Sequence, residues 1–543
     1  MTDDRFSSRS MDSDSGGYAS PEEEDDISPI SDFYKDRSVF ITGVTGFVGK
    51  VLLEKLLRAC SSVKTVYVLL RTKDGMDPRQ RLDELLTSQV FSRLKHEKPT
   101  TLTKIVPIAG DISLSNLGLS QSDVNMLSKH VSVVFHSAAT VRFDEPLKKS
   151  VNLNLLGTQR VLHLCKKMAQ LAALVHVSTA YSYCNRKDID EIIYPEKIPA
   201  QKVIEITEWM DDELLETLLP KLMDGRPTTY HYSKALAENL LVSEGGGLPI
   251  AIVRPSIVTA AFKEPMPGWV DGVNGPTTFI IMTGQGLLRT MLVYEGTVVD
   301  WMPVDLVANL LISSAWQIGS QKPNTIKVYN CTSGDLNRVT WSDIERTAYP
   351  LIIKYPLPNV IRYPGGSFKS SPFMNTLSVK LEHSLPAYFI DTVGWIFGYK
   401  TEFVSLVHRM ERAAGYLQYF TTREWTFQCT NLVHLRELQS RRDKEIFNID
   451  VRPIEWTPYL ENYVLGVRKF ILGEHVSTIP AARRRLMRLY YAGLLAKYGV
   501  MFGFIYVILK KTNLSQHIMW NLISLAIRVM QYMPKSWLKY LSS

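Results

Sequence analysis

The sequence has few cysteines, and they lie far apart. Its 543 residues include five cysteines, and none of them lies in a CxxC pair or beside a histidine cluster. Neither a disulfide framework nor a metal site is therefore expected, and a reducing compartment fits best. The amino terminus lacks a basic segment followed by an apolar one, so we expect no secretory signal.

Long uninterrupted hydrophobic runs are also scarce. The mean hydropathy of −0.04 excludes a transporter with many membrane spans, but not one or two terminal membrane segments. Hydrophobic residues make up 45% of the chain and charged residues 21%, as is typical of globular proteins. Because a single hydrophobic core stops growing near about 250–300 residues, we predict two folded units with extensions.

The charge is distributed unevenly along the chain. Residues 1–35 hold ten acidic and three basic residues, whereas residues 467–543 hold twelve basic residues and one acidic residue. The first segment has no hydrophobic period and is predicted to be disordered. The basic tail fits an anionic membrane surface better than nucleic acid, because its charges alternate with apolar stretches.

Apolar runs typical of buried strands alternate with segments of helical spacing. They occupy residues 39–41, 66–70, 104–108, 131–136, 174–177 and 250–253. This alternation predicts an α/β fold with a doubly wound parallel Rossmann sheet and a substrate subdomain over residues 36–349. Residues 350–475 are predicted to form a helical C-terminal domain, and residues 476–543 a membrane-associated tail.

The tail contains an apolar stretch from Leu489 to Leu509 that is interrupted by Lys497. Its length is just sufficient to cross about 30 Å of hydrocarbon as a helix. A membrane span, a re-entrant hairpin and an interfacial helix all stay open, and residues 518–533 form a second apolar stretch. Residues 385–397 are too short to span, so we expect a buried helix or a membrane-facing one.

A glycine-rich turn follows the first predicted strand. The segment reads Thr42-Gly43-Val44-Thr45-Gly46-Phe47-Val48-Gly49. Gly43 would permit a tight turn, Gly46 would let the backbone approach a pyrophosphate, and Gly49 would let helix and strand pack closely. The diphosphate would lie on free amides at the helix N-terminus. The alternative is an ordinary glycine-rich turn.

The end of the second predicted strand discriminates between the two nicotinamide cofactors. An NAD enzyme usually has an acidic residue there, whereas this chain has Arg71. A guanidinium pairs with a 2′-phosphate that an acid would repel, so NADPH is favoured over NADH. The alternative is a solvated surface arginine. Asp111 either faces the adenine ring or is a plain turn residue.

Tyr230 and Lys234 are four residues apart, which places both on one face of a helix. A nearby ammonium is expected to lower the pKa of the phenol, which would then protonate a carbonyl oxygen. Thr179, or else Ser178, follows a predicted strand and would donate a hydrogen bond to the developing oxyanion. The alternatives are an exposed helix face for the first pair and turn chemistry for the second.

These motifs resemble the extended short-chain dehydrogenase/reductases and, more narrowly, the alcohol-forming fatty acyl-CoA reductases. The resemblance covers residues 37–475 and includes both predicted domains. Its most specific segments are residues 39–93, Phe143-Asp144-Glu145, residues 154–158, residues 177–181, residues 230–238, Pro267-Gly268-Trp269-Val270-Asp271 and residues 419–427.

The resemblance implies a role for each matching residue. The catalytic residues would be Thr179, Tyr230 and Lys234, with Asn154 supporting proton transfer. NADPH would be bound by the glycine turn with Thr42, Gly43, Thr45, Gly46, Phe47 and Gly49, by Arg71, and at its nicotinamide end by Arg254. Phe420, Trp425 and Phe427 would form either a helical core or the wall of an acyl channel.

The implied reaction is the reduction of a long-chain acyl-CoA to a fatty alcohol by two hydride transfers from NADPH, through an aldehyde. The tail would hold the enzyme on the endoplasmic reticulum or the peroxisome membrane, with the catalytic part in the cytosol. An extended reductase acting on a sterol or a nucleotide-sugar, and a non-catalytic membrane scaffold, are the alternatives. No nucleic acid partner is expected.

Overall fold

A computed structural model describes residues 27–511, 520–521, 523–525 and 527–528. Its centre is a parallel sheet of seven strands. All the strands are β1 (Ser38–Thr42), β2 (Thr65–Leu70), β3 (Ile105–Ala109), β4 (Val131–His136), β5 (Ala173–Val177), β6 (Asp188–Ile189), β7 (Ile250–Pro255), β8 (Ile257–Thr259), β9 (Trp301–Pro303), β10 (Lys327–Cys331) and β11 (Thr426–Phe427). The predicted doubly wound parallel sheet is confirmed.

The order of the seven strands is β10-β7-β5-β4-β1-β2-β3. Its central strands are buried on both faces, which explains why they read as continuous apolar runs instead of alternating ones. The chain winds outward in opposite directions from β1 and β4, which are neighbours. In such a sheet a crevice opens at the carboxyl ends of these two strands, and ligands bind there.

Helices cover both faces of the sheet and form most of the C-terminal region. They are α1 (Pro29–Phe33), α2 (Phe47–Ala59), α3 (Pro78–Thr87), α4 (Ser92–Glu97), α5 (Gln121–His130), α6 (Leu147–Ser150), α7 (Leu156–Cys165), α8 (Ala200–Trp209), α9 (Asp212–Leu222), α10 (Thr229–Glu244), α11 (Pro276–Gly284), α12 (Val304–Gln321), α13 (Trp341–Lys354), α14 (Pro372–Val379), α15 (Leu385–Ile396), α16 (Phe403–Thr421), α17 (Thr430–Leu438), α18 (Arg441–Ile446), α19 (Trp456–Gly466) and α20 (Ile479–Lys511). Single π-turns at Val151–Leu155, Lys380–Ser384 and Val467–Ile471 interrupt or extend these helices.

Two hydrophobic cores lie on opposite sides of the sheet. One contains α2 and α12, and the other contains α7 and α10. Helix α12 is buried along almost its whole length because it packs against both the sheet and α2. This packing fixes the ends of β1, β4 and β5, where the predicted site residues lie.

The C-terminal region is helical as predicted, but it is not separate from the sheet domain. Strand β11 pairs with β6, and the hydroxyl of Tyr459 donates to Thr259 Oγ1 at 2.6 Å. The boundary predicted between residues 349 and 350 falls inside α13. Residues of α19 share one hydrophobic core with the sheet domain, and no linker of polar residues marks a border.

Part of the acidic N-terminal segment is ordered, which corrects the prediction for residues 27–35. Ile30 and Tyr34 are fully buried, and the Tyr34 hydroxyl donates to the carbonyl of Ile312 at 2.8 Å. The two apolar side chains are four residues apart and so lie on one face of a short helical turn. Residues 1–26 lie outside the described part of the chain.

The tail begins as one continuous helix, α20, with Lys497 near its middle. The helix over residues 476–508 is long and apolar enough to cross a membrane. Its most apolar window of 18 residues has a mean hydropathy of 1.5, and none of that window is buried against the protein. A re-entrant hairpin within residues 479–511 is therefore wrong. Most of the second apolar stretch, residues 518–533, lies outside the described residues.

Candidate active site

The glycine turn lies at the crevice between β1 and β4. Gly43 has a φ of +78°, and a Cβ atom there would lie 2.6 Å from the backbone nitrogen of Ala138 on the β4 side. Gly46 begins helix α2, and no side chain caps the helix amides. The turn therefore forms a cradle that is lined by backbone amides, and a diphosphate fits into it.

Trp269, to which no role was assigned from the sequence, packs beside this turn. The Phe47 ring stacks on Trp269 with centroids 5.4 Å apart, and Lys50 forms an ion pair with Asp271 at 2.6 Å. A Cβ at Gly49 would lie only 2.2 Å from the carbonyl oxygen of Gly43. The Pro-Gly-Trp segment thus closes over the start of α2, and Phe47 is positioned by Trp269.

Arg71 and Asp111 meet at the carboxyl ends of β2 and β3. Arg71 is 58% exposed, and its Nη1 lies 3.9 Å from Asp111 Oδ2. The other carboxylate oxygen of Asp111 accepts from the amide and hydroxyl of Ser113, both at 2.8 Å. Arg81 was not predicted as a site residue, but its Nη1 donates to the carbonyl of Arg71 at 2.6 Å. The chain therefore offers two guanidinium groups at the end of β2.

The four residues predicted to be catalytic come together beyond the ends of β4 and β5. Lys234 is 3% exposed, and its Nζ donates to the carbonyl of Val177 at 2.7 Å. Thr179 follows two residues after Val177, and its hydroxyl donates to the carbonyl of Pro255 at 3.4 Å. The same hydroxyl lies close enough to Tyr230 to lower the pKa of the phenol. Tyr230 is half-buried at the first turn of α10.

Asn154 lies in the π-turn before α7 and holds two elements together. Its side-chain amide donates to Ser233 Oγ at 3.0 Å and to the carbonyl of Thr140 at 3.2 Å. Its side-chain oxygen accepts from the amide of Thr140 at 2.9 Å. Asn154 therefore fixes the loop after β4 against the helix that carries Tyr230 and Lys234.

The pKa shifts of the central pair differ from the expectation. Burial raises the pKa of Tyr230 to about 12, against a smaller lowering by the nearby Thr179 hydroxyl. Burial lowers the pKa of Lys234 to about 8, although Glu238 acts in the opposite direction. The expected lowering of the pKa of Tyr230 is wrong in this structure, because burial dominates and the ammonium donates to a backbone carbonyl.

Arg254 has partners other than those expected. Its Nη2 donates to Glu238 Oε2 at 2.6 Å and to the carbonyl of Ile192 at 2.7 Å. Both members of this ion pair are completely buried. Glu238 also accepts from the hydroxyl of Ser178 at 2.5 Å. Arg254 thus ties β7 to α10. The Ser178 hydroxyl is bonded to Glu238, whereas the Thr179 hydroxyl donates to the carbonyl of Pro255 at 3.4 Å.

An aromatic wall stands beside Tyr230, formed by Phe143, Tyr181, His231 and Phe420. Phe143 lies 6.0 Å from the Tyr230 ring and 6.1 Å from Phe420, between ring centroids. Phe420 also contacts His231 and Tyr181, both at 5.2 Å. Phe420 is only half-buried. A residue of the C-terminal region therefore lines the space near the phenol.

The other two predicted aromatics of this region are core residues. Trp425 is 8% exposed and Phe427 is 2% exposed, and each packs edge-on against Tyr181. They hold the strand pair β6–β11 and support the wall from behind. The alternative of a core is therefore confirmed for Trp425 and Phe427.

Two histidines that were not predicted as site residues lie close to Lys234. His136 and His176 are neighbours on β4 and β5, with ring centroids 5.3 Å apart. Burial lowers the pKa of His136 to about 3 and the pKa of His176 well below its ordinary value of 6.5, and the Lys234 charge acts in the same direction. Both rings are therefore neutral at physiological pH.

Comparison with known proteins relates this geometry to a family. The chain matches the NAD-binding domain described as "Male sterility protein" over residues 41–311 and the Sterile domain, also described as "Male sterility protein", over residues 382–474. It is 40% identical to "Fatty acyl-CoA reductase 1" of Gallus gallus over 513 residues, covering 93% of this chain and 98% of the relative. It is 37% identical to "Fatty acyl-CoA reductase 2" of Mus musculus over 510 residues, covering 94% and 99%.

The chain belongs to the fatty acyl-CoA reductase family. It is an oxidoreductase, and its first domain is of a kind that binds a nicotinamide cofactor. Solved structures agree on the fold of this reductase. The reductase domain of a nonribosomal peptide synthetase from Mycobacterium tuberculosis has a TM-score of 0.56 at 16% identity, covering 82% of this chain and 95% of that chain. The terminal R domain of the myxalamid pathway has a TM-score of 0.53 at 18% identity, covering 80% and 90%.

The lowered pKa of Lys234 predicts a pH-dependent stability. Because the folded pKa of about 8 lies below the ordinary value of 10.5, the unfolded chain binds more protons between these values, and this group makes the fold more stable as pH rises. Lys234→Met removes that dependence. The Tm of the variant minus the Tm of the unchanged reductase should therefore become more negative as pH rises from 7 to 9.5. The change should correspond to about 2 kcal/mol of unfolding free energy.

Thermal unfolding at the two pH values measures this difference. Lys221→Met is the matched control, since Lys221 is an exposed lysine on α9. Its difference in Tm should be the same at both pH values. A Lys234→Met difference that does not change with pH would contradict the buried ammonium.

Proposed function

We propose that this reductase converts a long-chain acyl-CoA to a fatty alcohol and free CoA, with NADPH as the reductant. The observation that carries the proposal is the meeting of Thr179, Tyr230 and Lys234 beside the glycine-turn crevice. The names of these relatives support the substrate class. The half-buried aromatic wall next to the phenol is suited to an apolar chain.

The crevice fits a dinucleotide. Any side chain at Gly43 would fill the cradle, and the uncapped start of α2 offers amides to a diphosphate. The end of β2 carries Arg71 and Arg81, and Lys73 is exposed beside them. These cations favour a 2′-phosphate and therefore NADPH, and Asp111 holds the guanidinium of Arg71 toward the crevice.

The bound nicotinamide supplies a hydride to the carbonyl carbon of the substrate in each of two rounds. The Thr179 hydroxyl and the Tyr230 phenol donate hydrogen bonds to the carbonyl oxygen as negative charge develops there. In the first round the carbon–sulfur bond breaks, one proton is consumed, and CoA leaves as the thiol, which produces an aldehyde. In the second round the aldehyde oxygen takes a proton from Tyr230, which produces the alcohol.

Lys234 and Asn154 prepare the phenol for this role. Because the pKa of Tyr230 is raised by burial, the phenol holds its proton until an oxyanion forms beside it. The Lys234 ammonium stabilises the phenolate that results. Asn154 keeps the loop after β4 against α10, so the distance between the two elements is fixed.

The cysteines favour direct reduction over a thioester formed on the enzyme. All five are buried, and burial raises the pKa of each thiol, to about 12 for Cys184 and Cys429. A nucleophilic cysteine needs the opposite, a lowered pKa and an accessible sulfur. The reaction then needs no covalent enzyme intermediate.

Helix α20 is the proposed membrane anchor. Arg483, Arg484, Arg485 and Arg488 precede its apolar part, and Lys510 and Lys511 follow it. The larger basic cluster is expected on the cytosolic side, with the catalytic part. That placement gives the enzyme access to cytosolic NADPH and acyl-CoA at the endoplasmic reticulum or the peroxisome.

Tyr230→Phe tests the assignment of the acid. Removing the phenol proton should lower alcohol formation from a long-chain acyl-CoA by about 10²–10⁴-fold, because general acid catalysis contributes that much. NADPH binding should change less than about twofold, since the hydroxyl is not needed for the diphosphate or the 2′-phosphate. Alcohol and free CoA are measured together, with acyl-CoAs of several chain lengths.

Tyr232→Phe is the matched control for this variant. Tyr232 lies two residues further along α10, is 1% exposed and faces the core. It should keep nearly full activity. Full activity of Tyr230→Phe would refute the assignment, and reduction of a sterol or nucleotide-sugar in place of acyl-CoA would refute the substrate class.

Arg71→Ala tests the choice of cofactor. Loss of a charge-assisted bond to the 2′-phosphate should raise the KM for NADPH by about 10–100-fold, while the KM for NADH stays within about twofold. Arg79→Ala is the control, because Arg79 is 69% exposed on the neighbouring α3 and pairs with Asp83. Equal effects of Arg71→Ala on the two cofactors would contradict a 2′-phosphate contact.

A further inference from the structure

Residues 372–399 form an element that we call the apolar platform. It consists of α14, a π-turn and α15 in one continuous helix, followed by the start of the loop to α16. Its large exposed side chains are Phe373 (75% exposed), Leu381 (55%), Leu385 (61%), Tyr388 (53%), Phe389 (69%), Trp395 (78%), Ile396 (63%), Phe397 (71%) and Tyr399 (72%). Of the two alternatives for residues 385–397, the buried helix is wrong, because only Ala387 and Gly394 are buried in α15.

The acidic and the basic side chains of the platform differ in their surroundings. Its carboxylates turn into the protein: Glu382 accepts from Arg289 Nε at 2.8 Å, and Asp391 accepts from the amides of Phe403 and Val404 at 3.0 and 2.9 Å. Lys380 is exposed, and just beyond the platform Lys400 and Glu402 are both exposed. The outer surface of the platform is therefore mainly aromatic, with one exposed lysine and, over residues 372–399, no exposed carboxylate, which is a composition that favours a phospholipid surface.

The platform lies next to the place where α20 leaves the protein. Arg362 Nη1 donates to the carbonyl of Glu382 at 3.2 Å. The adjacent Tyr363 packs on Tyr490 of α20 with ring centroids 4.9 Å apart. Beyond Tyr490, the described side chains of α20 are mostly exposed. The apolar surfaces of the platform and of α20 are therefore connected through the consecutive residues Arg362 and Tyr363.

We propose that the apolar platform is a second membrane contact, whose aromatic side chains enter the headgroup and upper acyl region of the leaflet through which α20 passes. The proposal rests on the proposed membrane attachment of α20. Aromatic side chains are favoured at that depth, and a face of this kind lies in the interface without spanning it. The platform carries no exposed carboxylate among its described residues that would oppose such a contact.

This contact would connect the membrane to the active site through α16. The helix starts at Phe403, whose amide is held by Asp391 of the platform, and it ends beside Phe420 of the aromatic wall. Its 19 residues span about 28 Å. One helix therefore joins the platform to the aromatic wall.

The native cysteines make a fluorescent test practical. All five are buried with raised thiol pKa values, so a cysteine-reactive NBD label goes to an introduced exposed cysteine. Full-length Phe389→Cys and Trp395→Cys are labelled and reconstituted into phosphatidylcholine–phosphatidylserine vesicles, with and without a lipid that carries a nitroxide near its headgroup. Trp209→Cys is the matched control, because Trp209 is 70% exposed on α8.

The labels at positions 389 and 395 should shift to shorter emission wavelengths in vesicles and be quenched at least twofold by the nitroxide lipid. The label at position 209 should show neither change. Two results would overturn the proposal: platform labels that behave like the control in vesicles, or platform labels equally shielded in detergent-free buffer without lipid, which would mean that another segment or a second copy covers them.

Carbonate extraction of the same samples tests α20 separately. If carbonate releases the protein but the label at position 389 is quenched, the platform contact is supported and the membrane anchor is contradicted. If carbonate does not release the protein and the label is not quenched, the anchor is supported and the platform contact is contradicted. The enzymatic proposal is unaffected by either result, because alcohol formation is measured in its own assay.

Discussion

A buried ammonium is the constraint on which the active site depends. Lys234 is almost completely enclosed, and its hydrogen bond goes to the carbonyl of Val177 at the end of β5. Burying a charge without a directly bonded carboxylate is costly, so the surrounding structure must hold the lysine in place. Neutral His136 and His176 lie below it, and Glu238, the nearby carboxylate, is itself bound by Arg254. Helix α10 is thereby fixed against the sheet, with Tyr230 at the mouth of the crevice.

The two parts of the chain contribute different things to the reaction. The sheet domain provides the glycine turn, the cations at the end of β2 and the Thr179–Tyr230–Lys234 group. The C-terminal region provides Phe420 of the aromatic wall. The two parts share a core and a strand pair, so the substrate wall is held as firmly as the cofactor crevice. The division of labour does not require two separately folded domains.

The strands, the conformation of the glycine turn and the shared helix face of Tyr230 and Lys234 could be predicted from the sequence because each depends on local patterns. Continuous apolar runs mark strands buried on both faces, and a four-residue spacing places Tyr230 and Lys234 on one face of α10. Arg81, Trp269 and the true partners of Arg254 could not be predicted, since they depend on contacts between distant segments. The raised pKa of Tyr230 was also inaccessible, because burial outweighs the neighbouring charge. The burial of Ile30 and Tyr34 was not predicted, because the sequence around them is acidic.

The account is tested most directly by following the reducing hydrogen itself. The reductase is supplied with a long-chain acyl-CoA and with NADPH that carries deuterium at both C4 positions, and the alcohol is analysed by mass spectrometry and NMR. The account predicts an alcohol with two deuterium atoms at C1 and one equivalent of free CoA. An alcohol with one deuterium or none at C1 would contradict delivery of both hydrides beside Tyr230.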